Sequence, residues 1–192
     1  MKVSSGIYSD HALEQVLKNY NFDSLDIAFI TELSFGCTRY RNLLDLWVDH
    51  ISTISYQKQP PKLRWLLHIG LYQLLKMDKI PFSAAISSTV EVAKRSDLKG
   101  LAGTVNAILR NTIRNIEKEN LPKISSNELN RLSCLESLPL WLVNEIVNWL
   151  GIEKAKNVIK AFNKKPSIDL RINPLKTDLN KFLKELKKCN ID

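Results

Sequence analysis

The chain has 192 residues, of which 44% are hydrophobic and 25% charged, and its net charge is +8. This composition is typical of a globular protein with one or two domains, and the lack of a long apolar run argues against a transmembrane helix or a secretory signal peptide. Cys37, Cys134 and Cys189 lack the paired spacing of a zinc site. We therefore expect a cytoplasmic protein with reduced thiols, no bound metal and no membrane contact.

Apolar residues in the first part of the chain recur at spacings of three and four, which predicts helices. One helix follows Ser9, and Asp23 or Ser24 can cap the next. The apolar stripe of this second helix continues without interruption from Phe29 to Ile51. Gly36 lies on that stripe, so we predict a close helix contact there, with a kink as the alternative.

Three further helices are predicted in residues 60–116. Pro60 and Pro61 suit the first turn of one helix, because a proline at that position loses no hydrogen bond. Pro81 opens a second helix around Ala84 to Arg95, and Asp97 can cap the third. With little β alternation, the pattern predicts an all-α bundle of crossing helices over residues 1–118.

The second half of the chain is less regular. Residues 119–139 are polar and predict a linker with one short helix near Glu128 to Leu135. Leu140 to Leu150 and Ile152 to Phe162 predict two linking helices, divided at Gly151, which suits a helix C-cap. The expected domains are therefore 1–118, a linker over 119–139, and a second region over 140–192.

The last part of the chain changes character. Residues 168–173 alternate between apolar and polar side chains, which predicts a strand, and Thr177 can cap a final helix. One strand cannot satisfy its own edge hydrogen bonds. We therefore expect the sequence to stop soon after a second, α+β domain begins.

Several motifs in residues 63–110 occur in an order that resembles the NusB fold, an all-helical RNA-binding module of bacterial transcription and rRNA-modifying proteins. They are Leu71-Tyr72-Gln73-Leu74, Ile80-Pro81, Val90-Glu91-Val92-Ala93-Lys94 and Val105-Asn106-Ala107-Ile108-Leu109-Arg110. The flanking segments 35–45, 139–142 and 170–176 resemble the bacterial 16S rRNA cytosine-C5 methyltransferases (the Sun, Fmu or RsmB family), which carry a NusB-like domain. Ser87-Ser88-Thr89 and Thr104 differ from the residues that are usual at these positions in the family. These differences concern local packing more than the fold.

The resemblance implies a NusB-like helical bundle, then linking helices and the first strand and helix of an incomplete methyltransferase subdomain. Enzymes of this family use S-adenosylmethionine and two cysteines, one of which attacks C6 of cytosine. The present sequence has no Gly-x-Gly-x-x-Gly loop and no Pro-Cys pair. We therefore predict no catalytic, cofactor-binding or metal-binding residue in this chain, while S-adenosylmethionine is expected for full-length family enzymes.

Basic side chains spaced along the predicted helices favour contact with RNA, and the resemblance makes 16S rRNA the expected partner. Residues 152–192 add 11 basic and 5 acidic residues. Solvated or internally paired side chains are the alternative, and Arg39 can pair with Asp45 or Glu32. The candidate RNA-binding residues are Arg39, Arg41, Lys62, Arg64, Lys94, Arg95, Lys99, Arg110, Arg114 and Arg171.

Two other functions fit the same helical pattern. One is a free-standing NusB-type transcription antitermination factor, against which the segment 168–176 argues. The other is an interaction module whose helical surface binds a protein partner and performs no chemistry.

Overall fold

The computed structural model describes residues 3–124, 126–164 and 170–188, and these form α-helices joined by short turns. The helices are α1 (Ser9–Leu17), α2 (Ser24–Arg39), α3 (Arg41–Ile51), α4 (Pro61–Lys76), α5 (Phe82–Lys94), α6 (Ala102–Glu117), α7 (Glu128–Leu135), α8 (Leu140–Leu150), α9 (Ile152–Phe162) and α10 (Leu179–Lys188). Short 3₁₀ turns lie at Val3–Ser5, Tyr56–Lys58 and Lys99–Leu101. The predicted all-α class is confirmed.

Helix α4 is the centre of the main core, because it packs against α2, α3, α5 and α6. Its side chains are apolar on most sides, and Leu67 and Leu71 are completely buried. Burial of each such leucine contributes about 1.5–3 kcal/mol. Pro60 and Pro61 stand at the start of α4, as predicted. The positions of α5 and α6 are thus set by their contact with α4.

Gly36 confirms the predicted close contact between helices. It is buried on α2, and a β-carbon at this position would overlap the ring of Tyr72 on α4. The Tyr72 hydroxyl donates a hydrogen bond to Glu32, with the two oxygens 2.6 Å apart. Burial, followed by this bond to a carboxylate, raises the pKa of Tyr72.

The prediction of one continuous helix through residues 29–51 is wrong. The chain breaks at Tyr40, which has φ −95° and ψ 20° and separates α2 from α3. In an unbroken helix the Leu43 amide would bond to the carbonyl of residue 39. It donates instead to the Ser137 hydroxyl at 2.9 Å, so a residue far along the chain satisfies the amide that the break leaves free.

A charged cluster lies inside the main core, where Asp45 of α3 meets two residues of α4. Its Oδ1 accepts from Arg64 Nε at 2.7 Å and from His68 Nε2 at 2.8 Å, and its Oδ2 accepts from the second Arg64 nitrogen. Burial alone would raise the pKa of Asp45, but the bonds from His68 and Arg64 outweigh it and hold the pKa below its ordinary value. The cluster fastens α3 to α4.

A second, smaller core joins α7, α8 and α9. It contains Leu132, Val143, Ile146, Ala155 and Ile159. The short helix predicted at Glu128 to Leu135 is confirmed as α7. The predicted C-cap at Gly151 is also confirmed by its φ of 73°, a backbone conformation that glycine adopts without strain.

Two local predictions need correction, and a third is not confirmed. Asp97 does not cap α6, which starts five residues later; its carboxylate pairs with Lys62. Thr177 is not the cap of α10, because Asp178 Oδ1 accepts from the Lys181 amide at 2.9 Å. The strand over 168–173 is not confirmed. Ile168 and Asp169 lie outside the described residues, and residues 170–173 do not form a strand paired with any other described segment.

None of the helices in the described part of the chain has the length and apolar character needed to cross a membrane.

Candidate nucleic-acid interface

Several of the predicted RNA-binding residues lie together on α5, α6 and the turn between them. Lys94 ends α5, Arg95 and Lys99 follow it, and Arg110 and Arg114 lie one turn apart on α6. All five side chains are exposed. We call these five residues the α5–α6 basic face.

A groove runs beside this face between α5 and α6, with a volume of about 860 Å³. Ile86, Val90 and Ile113 supply apolar side chains to it. Phe82, the first residue of α5, lines the groove and leaves 47% of its surface exposed. The groove therefore combines an apolar lining with an accessible aromatic ring.

Polar residues of α6 border the same groove. Arg110 Nε donates to Asn106 Oδ1 at 3.0 Å, and both residues line the groove. No carboxylate within the described residues pairs with Arg110. The bond to Asn106 orients the guanidinium and leaves its terminal nitrogens available to an anion.

Glu91 is the acidic residue of the groove, and two cations accompany it. Arg95 Nε lies 2.8 Å from its carboxylate and Lys94 Nζ lies 4.0 Å away. These are exposed ion pairs, so each contributes at most about 1 kcal/mol and an RNA phosphate can compete for the cations. Lys62 lies near the turn that follows α5, because it pairs with Asp97.

Three other predicted contact residues lie on α2, α3 and α4, and two of them contact Asp45. Arg64 is committed to Asp45 and leaves only 17% of its side chain exposed. Arg41 Nε lies 3.9 Å from the same carboxylate, and its guanidinium lies over the Trp65 ring. Arg39 is exposed at the end of α2. Neither Asp45 nor Glu32 pairs with it, because they bond to Arg64, His68 and Tyr72.

The remaining candidates give no catalytic arrangement. Arg171 is exposed before α10. Burial raises the pKa of the Cys37 thiol to about 12, which suppresses its nucleophilicity. Cys134 is half-buried, and Cys189 lies outside the described residues. No three His, Cys, Asp or Glu side chains in residues 3–124, 126–164 and 170–188 are placed to hold a metal ion.

Sequence analysis missed Phe82 and the groove that it lines. The usable signal was its position directly after Ile80-Pro81 at the start of a helix. A large ring in a first helical turn has few neighbours along the chain to cover it. Whether the ring is buried depends on where α6 packs against α5, and no local sequence pattern specifies that position.

The described residues form an all-helical body with a basic face and a second, smaller core. The family model described as the NusB family matches residues 3–114, more than half of the chain, so the chain belongs to the NusB family. A second model, described as the Methyltr_RsmF/B-like, ferredoxin-like domain, matches residues 138–192. Both parts of the predicted resemblance are confirmed.

Curated relatives agree with these matches. The chain is 35% identical over 184 residues to the probable ribosomal RNA small subunit methyltransferase B of Synechocystis sp., covering 96% of this chain and 41% of the relative. It is 32% identical over 181 residues to the protein of the same name in Bacillus subtilis, covering 93% of this chain and 39% of that relative. The chain thus spans about two fifths of the length of these relatives.

Proposed function

We propose that this chain is the RNA-binding portion of an S-adenosylmethionine-dependent 16S rRNA (cytosine-C5) methyltransferase of the cytoplasm. The observation that carries the proposal is the order of two matches along one polypeptide, the NusB family at residues 3–114 and the RsmF/B-like ferredoxin-like domain at residues 138–192. The names of the relatives support the same enzyme class. The second match also weighs against a free-standing antitermination factor.

S-adenosylmethionine is the methyl donor in this proposal, but the present residues do not fit a binding site for it. The fold that binds such cofactors needs a glycine-rich turn between a strand and a helix. The six glycines of this sequence include no Gly-x-Gly-x-x-Gly, and the described residues contain no strand to precede such a turn. The chain's own contribution is to hold and position RNA.

Contact with RNA is assigned first to the α5–α6 basic face, where cations surround an open groove. Arginine and lysine bind phosphate oxygens and release counterions from the RNA. Arg64 contributes to the fold through Asp45, so its role in binding would be indirect. The other proposed contacts, outside this face, are Arg39, Arg41, Lys62 and Arg171.

A protein partner on the helical surface is a further part of the proposal. A smaller apolar groove lies between α2, α4 and α5, and Phe29 and Val92 line it with exposed side chains. An exposed apolar groove of this kind is a common feature of interaction sites.

Salt dependence of RNA binding tests the proposal. The affinity of the chain for a fluorescein-labelled 16S rRNA fragment can be measured by anisotropy between about 50 and about 200 mM salt. We expect affinity to fall steeply with salt. Arg110→Gln is expected to reduce the slope of log K against log salt by about 0.7, the value for one lost contact to a single strand.

Lys18→Gln is the matched control, because it removes one exposed positive charge directly after α1, a helix that packs against α2. Its slope should equal that of the unchanged chain. An affinity that does not vary with salt, or equal effects of the two substitutions, would contradict the proposed interface.

A further inference from the structure

The α5–α6 groove has a composition that the basic face alone does not require. Phosphate contact needs cations on an open surface, whereas this groove is also lined by an exposed phenylalanine, Phe82, and by the amide of Asn106. A nucleobase can stack on the aromatic ring and form hydrogen bonds with the amide. Building on the proposed function, we propose that the groove receives an unstacked base of single-stranded RNA, with Phe82 as the stacking surface.

Phe82 supplies the flat apolar surface that a base requires. It is the first residue of α5, and Pro81 before it fixes the backbone at the helix start. Nearly half of its surface, 47%, is exposed, although a phenylalanine gains about 1.5–3 kcal/mol when it is fully buried. Stacking of a base would cover that exposed face, and all four bases can stack in this way.

Asn106 supplies hydrogen bonds of the kind that a base edge offers. Its Oδ1 accepts from Arg110, while its Nδ2 group can donate and the second lone pair of Oδ1 can accept. It lies on α6, which faces α5 across the groove. An amide in this position can bond to a Watson–Crick or Hoogsteen edge, but only of a base that has left its helix.

Charge along the groove suits the RNA backbone on either side of that base. Arg110 and Lys94 line the groove. Arg95, Lys99 and Arg114 are exposed on the same pair of helices and the turn that joins them. Glu91 is the opposing charge, and Lys94 and Arg95 balance it. The combination of cations with an open aromatic ring favours RNA over an acidic peptide, which would leave the ring without a stacking partner.

Double-stranded RNA cannot use this groove in the same way. Its bases are stacked on one another, and its major groove is too deep and narrow for side chains to reach them. A duplex can contact the exposed cations but cannot place a base against Phe82. The inference therefore predicts a preference for single strands that depends on one uncharged residue.

The test compares Phe82→Ala with the unchanged full chain on a single-stranded RNA carrying an internal 2-aminopurine and on the matching duplex. We expect Phe82→Ala to weaken single-strand binding by about 5- to 150-fold, the range measured for base stacking. Duplex binding should not change, and the fluorescence quench of the bound 2-aminopurine should be lost. The salt slope should stay the same, since phenylalanine carries no charge.

Two further variants serve as controls. Phe82→Tyr keeps a stacking ring and should retain nearly all of the affinity and the quench. Phe29→Ala removes a ring of similar exposure, 41%, from a different groove and should leave RNA binding unchanged. Circular dichroism should show that each variant is folded at the temperature of the binding measurement.

The other results overturn the inference in distinguishable ways. Equal loss for single strand and duplex, or no loss, removes Phe82 from base contact while leaving the proposed RNA-binding function in place. If RNA binding ignores Phe82 but a polyglutamate peptide binds in a Phe82-dependent manner, the groove is a peptide site. If the full chain binds no RNA at all, the proposed function fails together with the inference.

Discussion

Asp45 joins α3 to α4 through a buried group of hydrogen bonds. It is 6% exposed, and both of its oxygens are used by Arg64 and His68. His68 is completely buried, and because a carboxylate only accepts, its Nε2 carries the hydrogen. Its Nδ1 has no partner in the described residues, so the ring makes one hydrogen bond there, to Asp45, and packs edge-on against Trp65.

Replacing Asp45 by asparagine should lower the free energy of unfolding by about 3 kcal/mol, measured by urea denaturation. This is the low end of the range for breaking a buried ion pair, because Arg64 keeps 17% of its side chain in water. Glu91→Gln makes the same chemical change in an exposed pair and should cost less than about 1 kcal/mol. Equal losses in the two variants would contradict a special role for Asp45.

Asp45 should also make the free energy of unfolding depend on pH. The folded-state pKa of Asp45 is lowered, so its stabilisation is complete above the unfolded-state pKa of about 3.9 and is lost as the pH falls through the folded value. The difference in unfolding free energy between the unchanged chain and Asp45→Asn should therefore shrink between about pH 7 and about pH 3. A difference that stays constant over this range would refute the assignment.

At the scale of the helices, the contact of α2 with α4 depends on the missing side chain of Gly36. Gly36→Ala should force the buried Tyr72 ring to move and weaken its bond to Glu32, with a loss of about 1–3 kcal/mol in thermal or urea unfolding. Gly103→Ala is the matched control, because Gly103 lies in α6 with no heavy atom near the added carbon. It should stabilise the chain by about 0.5–1 kcal/mol. A neutral or stabilising Gly36→Ala would show that the helices can separate at no cost.

Sequence patterns predicted the helices whose limits are marked by local signals. Pro61 at the start of α4 and Gly151 after α8 are such signals, and the structure agrees with both. The break at Tyr40 carries no such mark, because the apolar spacing continues across it. The bond from Leu43 to Ser137 joins residues 94 positions apart, and no short window of sequence contains both.

In the candidate site, too, local features could be predicted from the sequence, whereas contacts between helices could not. Asn106, Arg110 and Arg114 are four residues apart in the sequence, a spacing that places them on one face of any α-helix. The pairing of Arg64 with Asp45, instead of Arg39 with Asp45, depended on how α3 crosses α4. The best available hint was an acidic residue within the apolar stretch from Leu43 to Trp47. Buried charge is rare without a partner.

Across the whole molecule, two cores meet where α3 contacts α7. Ser137, which follows α7, accepts from the Leu43 amide at 2.9 Å although its own φ is 52°. His50 of α3 similarly bonds to the carbonyl of Asn120 at 2.9 Å. The segment between the cores is thus attached to α3 at two points.

Ser137→Ala should lower the free energy of unfolding by about 1 kcal/mol, the usual cost of losing a side chain that satisfies a first-turn amide. Hydrogen exchange should accelerate at Leu43 more than at residues of α5. Ser83→Ala, an exposed serine in the first turn of α5, is the control and should change stability by less than about 0.5 kcal/mol. Unchanged exchange at Leu43 would mean that water replaces the hydroxyl without loss.

The hydroxyl of Ser137 has a practical consequence for anyone who divides this polypeptide. A fragment that stops at the end of the predicted helical bundle, near residue 118, keeps every residue of α3 but lacks Ser137. The start of α3 is then exposed to solvent. Such a fragment would fray at Arg41 and at Asn42, next to the aspartate that holds Arg64. A fragment that ends beyond position 137 keeps that turn intact. The fragment should therefore end later than the domain limit at residue 118 that the sequence predicts.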